Sequence, residues 1–505
     1  MNDNIVFWID GNFLPFVVGH FLQKKHTGDF FAIIDSTEKT KNFFKEQKLV
    51  NFKKVWDYNH NILPKSEYDV DYLLSFEKKY DINLWLLAIN ERIFSDLNLF
   101  YSFSRDEILS ILEQECKLFE KVLEESNPDF LIIKSIDLHQ NFLFSEICRS
   151  KNIKILMLEI SRFSGCILTE KLDTIDYIKP LDEYNSKHDQ KNLKDFLKNK
   201  NRSVGLEELR KSFTPQKLNF QRAKAFFNFF FSFSKHDKTH FAYFGRSKLK
   251  VIFKYAQFPI REKFRKNFID NNLLKQLNFK EPFLFYPLHE EPERTLLIGS
   301  PFYTNQIEII RHIAKSLPIT HILLVKEHPS QEVRGWRINS FYKELMKIPN
   351  VILIHPDMSF HELIKKSSLV ISISGTAALE SAFYEKPSII FADTIFSNLS
   401  FVEKVNSIPE LPKIIRTSLE KKVDLSELNN FVSMYEDNSI NFNHHWFETV
   451  FNEKLFYDGH LANVDISEEI VQSLLDEHYI IFEKLTSEYI KKIDQHKKMN
   501  MNSSK

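Results

Sequence analysis

Two short stretches of this chain have the residue types to handle a phosphate: Lys326-Glu327-His328-Pro329 and Ser374-Gly375-Thr376. A histidine ring can donate to a phosphate oxygen, a lysine adds positive charge, and Pro329 biases His328 toward extended backbone. Ser374-Gly375-Thr376 precedes a helix-like run, Ala377 to about Tyr384. The N–H groups and partial positive charge of a helix start suit an anion, glycine allows close approach, and two hydroxyls can donate. Either motif alone has a plainer reading, the triplet as a helix cap and His-Pro as a loop histidine. Together in one strand–helix series they favour phosphate. Three more candidates lie at the ends of apolar runs: His289 and Glu293 after Phe283–Tyr286, and Asp10 after Ile5–Ile9. Asp10-Gly11 is equally an ordinary turn pair.

The elements that must position these residues follow from periodicity. Ile322–Val325, Val351–Ile354, Leu369–Ile373 and Ser388–Ala392 are apolar runs of buried-strand length, separated by helix-like sequence. That is the pattern of a parallel α/β sheet. Polar residues follow each run (Lys326, His355-Pro356-Asp357, Ser374, Asp393-Thr394), so four strand ends are expected to line one crevice. A second series starts at the N-terminus, with strands Ile5–Ile9, Phe30–Ile34, Phe130–Lys134 and Lys154–Glu159 and helices Phe13–Lys25, Asp106–Ser126 and Gln140–Lys151. His139 and Arg162 fall at strand ends there.

The chain has 505 residues, which implies two or three domains. Its 68 basic and 68 acidic residues balance, which argues against a dedicated nucleic-acid binder. Three scattered cysteines give neither a disulfide framework nor a zinc site, and His444-His445 lacks further ligand spacing, so no metal is expected. No signal peptide and no membrane-spanning run is read, which predicts a cytoplasmic protein with at most peripheral membrane contact. Glu183 to Arg202 reads as a charged helix or linker. Phe226–Phe233 is almost all phenylalanine, and Arg246 to Lys266 holds eight basic residues and one acid. This pair is expected first to be a helical excursion packed on the N-terminal domain, and second to lie on an anionic membrane near a lipid-linked acceptor.

The order of these motifs resembles the C-terminal half of GT-B glycosyltransferases, nearest to capsular and surface polysaccharide biosynthesis proteins of the Kdo or CMP-sugar transferase type. Tyr286-Pro287-Leu288-His289-Glu290-Glu291-Pro292-Glu293 is similar to a block found in some of them, and useful resemblance runs from Phe283 to Ala392. The resemblance implies an α/β fold with two Rossmann-like doubly wound domains facing a cleft, a helical insertion and C-terminal helices. The expected domains are residues 1–180 for the acceptor, 181–275 as insertion or linker, 276–425 for the nucleotide-sugar and 426–505 as helices, which in GT-B folds often cross back to the first domain. It implies that Lys326, His328, Pro329, Ser374, Gly375 and Thr376 hold the nucleotide phosphate and that Glu380 meets the ribose. His289 and Glu293 would face donor sugar or acceptor. Asp10 would be the general base, although Ile9 stands where such families carry a first acid. The partners implied are a nucleotide-sugar co-substrate, CMP-linked by preference, and a glycan or lipid-linked glycan. The resemblance calls for neither cofactor nor nucleic acid. UDP-sugar 2-epimerases and CDP-glycerol glycerophosphotransferases share the fold, and a non-catalytic scaffold is the remaining alternative. Epimerases usually show Ser-Gly-Gly and paired acids, where this chain has Ser-Gly-Thr and a single acid.

Overall fold

A computed structural model describes residues 2–94, 98–163, 165–176, 179–184, 193, 220–231, 241–291, 293–328, 330–331 and 335–503. The chain divides into two compact units. The first comprises Met1–Asp176, Lys217–Lys250 and Asn438–Lys505, and the second Tyr177–Gln216 and Val251–Asp437. These units cut across the expected boundaries. The insertion is shared between them, and the helices beyond 438 complete the first sheet's core. Most of the charged stretch Glu183 to Arg202 lies outside the described residues.

The first unit is built on β1 (Asp3–Ile9), β2 (Gly28–Ile34), β3 (Phe52–Asp57), β4 (Phe130–Ile133), β5 (Lys154–Ile160) and β6 (Cys166–Thr169). Its order is β3-β2-β1-β4-β5-β6, parallel throughout except that β6 runs antiparallel to β5. Helices cover both faces of such a sheet, so its central strands are apolar without alternation. Ile5, Val6, Phe7, Trp8 and Ile9 are all buried. One face packs against the helices His444–Leu455, Glu468–Glu477 and Tyr479–Ser503, which contribute Phe447, Phe451, Phe482 and Tyr489 to a single core. The last of the helices expected over 426–505 are Glu468–Glu477 and Tyr479–Ser503, separated at His478.

The second unit carries β7 (Phe283–Pro287), β8 (Ile322–Lys326), β9 (Val351–Ile354), β10 (Leu369–Ser372), β11 (Ser388–Ile390) and β12 (Val402–Lys404), all parallel, in the order β12-β11-β10-β7-β8-β9. Read from the first strand of each sheet, both orders are 3-2-1-4-5-6, the doubly wound pattern. The expectation of two Rossmann-like, doubly wound α/β units therefore holds. In each sheet the winding reverses beside the first strand, between β1 and β4 and between β7 and β10. Ligands of open α/β sheets bind beyond the strand ends at that reversal.

The basic excursion departs from its first expectation. Lys248–Asn272 is one helix; its first three residues belong to the first unit, and from Val251 on it belongs to the second. Ile269 is in that unit's core, Arg265 donates to the Trp336 carbonyl, and Trp336 N–H donates to Glu262 at 2.6 Å. The phenylalanine-rich helix Phe220–Phe231 belongs to the first unit, and residues 232 and 233 lie outside the described set.

Candidate functional site

In the second unit, β7 ends between β10 and β8, and the three sequence motifs meet there. His289 follows β7. Its Nε2 lies 3.0 Å from Ser372 Oγ and accepts the Ile373 N–H at 3.2 Å. Its backbone is clamped by Gln306, which accepts the His289 N–H at 2.7 Å and donates to the His289 carbonyl at 3.0 Å. The Gly375 N–H donates to the same Ser372 Oγ at 3.0 Å. A Cβ at position 375 would stand 2.6 Å from Ser372 Oγ and 3.0 Å from His289 Cε1. Glycine is therefore required here by the histidine and serine that pack over it, whatever ligand binds. Ser374 is buried and accepts from Ser300 Oγ at 3.2 Å.

The β8 end joins through a second chain of contacts. His328 Nδ1 lies 2.6 Å from Ser330 Oγ, and Ser330 Oγ donates to Glu290 Oε2 at 2.6 Å. The Ser330 N–H also donates to Nδ1, at 3.3 Å. Burial holds the His328 imidazole below its usual pKa, against the pull of Glu290 and Glu327, while Arg337 and Lys326 add to the lowering. The ring is therefore neutral near pH 7 and would gain a proton if an anion approached Nε2. Beneath it, Glu327 accepts the His328 N–H at 2.8 Å, Arg337 Nε at 2.9 Å and the Tyr342 hydroxyl at 2.7 Å. Arg337 also donates to the His289 carbonyl. One buried arginine thus ties the β7 and β8 loops together.

Lys326 is buried at the last position of β8. Thr376 and Glu380 bound a short helical turn, Ala377–Glu380, which passes into the 3-10 turn Ser381–Tyr384 where a continuous helix was expected. Thr376 does not cap it through its side chain, and Glu380 is buried, not turned to solvent. Glu293 starts the turn Arg294–Leu297. Pro329 lies outside the described residues. Two of the four expected strand ends belong elsewhere: His355 Nε2 pairs with Asp270 at 2.9 Å, and Asp393 binds Lys404 at 2.5 Å. Their strands, β9 and β11, are not neighbours of β7.

In the first unit, Asp10 stands at the same reversal point. The Asn12 N–H donates to its Oδ1 at 2.7 Å, so the turn reading is present. Burial nonetheless pushes the carboxyl up to about 6, although Lys134 and the Asn12 N–H pull it down. Lys134, just beyond β4, donates to Glu448 at 2.9 Å, and Asn12 Nδ2 reaches the same oxygen at 3.2 Å. Burial disfavours the Lys134 charge, yet Glu448 and Asp10 hold its pKa above the usual value. A Cβ at the adjacent Gly11 would meet nothing within 4 Å.

His139 and Arg162 are not available as ligand contacts. His139 is enclosed, with Nδ1 2.9 Å from Glu91 and Nε2 2.9 Å from Glu115. Burial works against its charge, but the two carboxyls raise its pKa to about 10. Arg162 is clamped by Asp173. Among the described residues, no group of three or more His, Cys, Asp or Glu could hold a metal ion, and no helix is long and apolar enough to cross a membrane.

Residues 186–402 match the family described as "Capsule polysaccharide biosynthesis protein". The resemblance read from the motifs is borne out over that segment, which spans the β7, β8 and β10 ends. No curated protein matches the chain by sequence. Among solved structures it is similar to KpsC of Thermosulfurimonas dismutans, a beta Kdo 2,7 transferase, at 12% identity, 73% of this chain, 88% of that chain and a TM-score of 0.30. It is also similar to the Methanocaldococcus jannaschii UDP-GlcNAc 2-epimerase in complex with UDP-GlcNAc and UDP, at 14% identity, 86% of this chain, 100% of that chain and a TM-score of 0.25.

Glu290, Ser330, Arg337, Gln306 and Glu448 are the residues that sequence reasoning missed. Glu290 stood inside a quoted block and Ser330 beside a quoted motif, and both could have been weighed with them. Arg337, Gln306 and Glu448 reach their partners only through the fold.

Proposed function

We propose that this chain transfers a sugar from a nucleotide-sugar, a CMP-sugar by preference, to a capsular or surface polysaccharide or lipid-linked glycan. The observation that carries the reading is the meeting of three strand ends at the β7–β10 reversal, through His289–Ser372 and Glu290–Ser330–His328. In the transfer, the bond from the sugar's anomeric carbon to the nucleotide phosphate breaks and one to an acceptor hydroxyl forms. Charge grows on the departing phosphate. His328, whose ring takes up a proton from solvent as the anionic nucleotide binds, donates a hydrogen bond to it, with Lys326 and the Ser374–Thr376 segment beside it and without a metal. Glu380 meets the ribose, and His289 and Glu293 bound the sugar. The acceptor's proton goes to Asp10, whose raised pKa suits a base working near neutrality. The chain works at the inner face of the cell membrane.

The test is a thermal-shift panel of CMP, CDP, UDP, GDP and TDP on wild type and His328→Ala. A ligand at about a hundred times its dissociation constant adds about 2.7 kcal/mol. Selective stabilisation by CMP, lost in the variant, is expected. A response to UDP alone would redirect the reading to an epimerase or UDP-sugar transferase, and to CDP alone toward glycerophosphate transfer. Silence with every nucleotide would remove the donor site.

A further inference from the structure

The Lys248–Asn272 helix has two faces of opposite character. At about 100° per residue, Phe258, Glu262, Arg265 and Ile269 fall within about 60° of one another. This is the face that docks on the second unit: Phe258 packs against Gly335, Glu262 and Arg265 bond Trp336, and Ile269 enters the core. Leu249, Phe253, Ile260 and Phe264 form another arc of about 60°, roughly opposite. Their exposures are 78%, 61%, 60% and 69%. A stripe of four large apolar side chains is thus turned away from the protein by the same contacts that hold the helix to it.

Charge says what covers the stripe. The whole chain is neutral, but this helix carries seven Lys or Arg and two acids. Both acids are engaged: Glu262 with Arg265 and Trp336, and Asp270 with His355. Exposed lysines border the stripe, Lys250 on one side and Lys263 on the other. At the start of the helix, Lys248 donates to the Phe230 carbonyl at 2.8 Å. That contact ties the helix to Phe220–Phe231, whose Phe226, Phe227, Phe230 and Phe231 are also exposed. Apolar side chains bordered by cations, with no uncompensated acid, match a surface that offers hydrocarbon beneath anionic headgroups. A protein partner would need acids arranged to fit, whereas a lipid surface supplies both terms anywhere along the stripe.

We propose that the outward face of the Lys248–Asn272 helix lies on an anionic lipid surface, with Leu249, Phe253, Ile260 and Phe264 in the acyl boundary and the flanking lysines at the headgroups. The experiment is co-sedimentation of the full chain with vesicles of equimolar phosphatidylglycerol and phosphatidylcholine. Pure phosphatidylcholine vesicles are the control, at low and high salt. Partition is expected on the mixed vesicles, falling roughly tenfold or more on the neutral ones, at high salt, and in the triple variant Phe253→Ser, Ile260→Ser, Phe264→Ser. The variant's thermal midpoint should match wild type, because its side chains touch no core. Equal partition of variant and wild type would overturn the proposal. So would a lowered midpoint, which would mean the chain itself covers the stripe, or a wild-type dimer in sedimentation that the variant dissociates. No nucleotide enters the assay, so its outcome is independent of the donor reading.

Discussion

His139 and His328 each follow a parallel strand in its own unit, and the sequence placed both at strand ends. The structure gives them opposite chemistry. His139 has a carboxyl on each ring nitrogen, and its pKa rises to about 10. His328 has a serine hydroxyl on one nitrogen, and burial lowers its pKa. Burial alone therefore does not set a histidine's charge; the partners within hydrogen-bond reach do. A histidine closed at both ends holds a fold together, whereas His328 is engaged through one ring nitrogen, by Ser330.

The strongest way to break this contrast is to remove each ring. His139→Ala would strip the shared cation from buried Glu91 and Glu115, leaving Glu91 only Arg92 at 4.0 Å, and should lower stability by about 3–5 kcal/mol in urea denaturation. His328→Ala should stay within about 1 kcal/mol of wild type while losing the nucleotide response. Similar losses at both positions would end the distinction. pH gives a second handle on His139. Its folded pKa of about 10 lies above the unfolded value of 6.5, so its contribution is complete below pH 6.5 and fades as pH rises toward 10. Wild type should lose stability across that window more than His139→Gln does.

Asp10→Asn should cut turnover by about a hundredfold or more without lowering the thermal midpoint. Its folded pKa of about 6 lies above the unfolded 3.8, so the ionised form is disfavoured by folding at neutral pH, and removing that charge relieves the cost. Activity in wild type should fall as pH drops through about 6. A variant with full turnover would return Asp10 to its turn. Gly375→Ala should cost about 1–3 kcal/mol, because its Cβ must displace Ser372 or His289. The smallest effect belongs to the other strand-end glycine. Gly11→Ala meets open space and should be neutral or stabilise by up to about 1 kcal/mol. A large loss at position 11 would mean that the two strand ends are more alike than they look.

Much of the architecture was legible because central strands of a covered parallel sheet are runs of Ile, Val, Leu and Phe. The strands that escaped notice, β3, β6 and β12, are all at sheet edges. Edge strands are half-covered, and β3 accordingly carries the exposed pair Lys53-Lys54 while β12 is only Val402–Lys404. At the candidate site, the motifs named the β7, β8 and β10 ends, which the structure brings together, but they did not say how these ends join. The link from His328 to Glu290 runs through Ser330, and that from Glu327 to His289 through Arg337; in neither link does local sequence fix the pairing. The same limit applies to His139, whose partners Glu91 and Glu115 lie on other segments.

The path of the chain through its units also sets an order of assembly. Most of the second unit is one continuous stretch from Val251 to Asp437, so it can close as soon as that stretch has left the ribosome. The first unit is the earlier one to be synthesised but must wait. Its sheet face is covered by Phe447, Phe451, Phe482 and Tyr489, and Ile440 bridges Cys166 beside β6. Until residues 438–503 arrive, a half-built sheet rich in phenylalanine stands open to chaperones and to its own kind. Glu448, the partner of Lys134, arrives with the same segment, so the polar groups around Asp10 are completed only in the last act of folding.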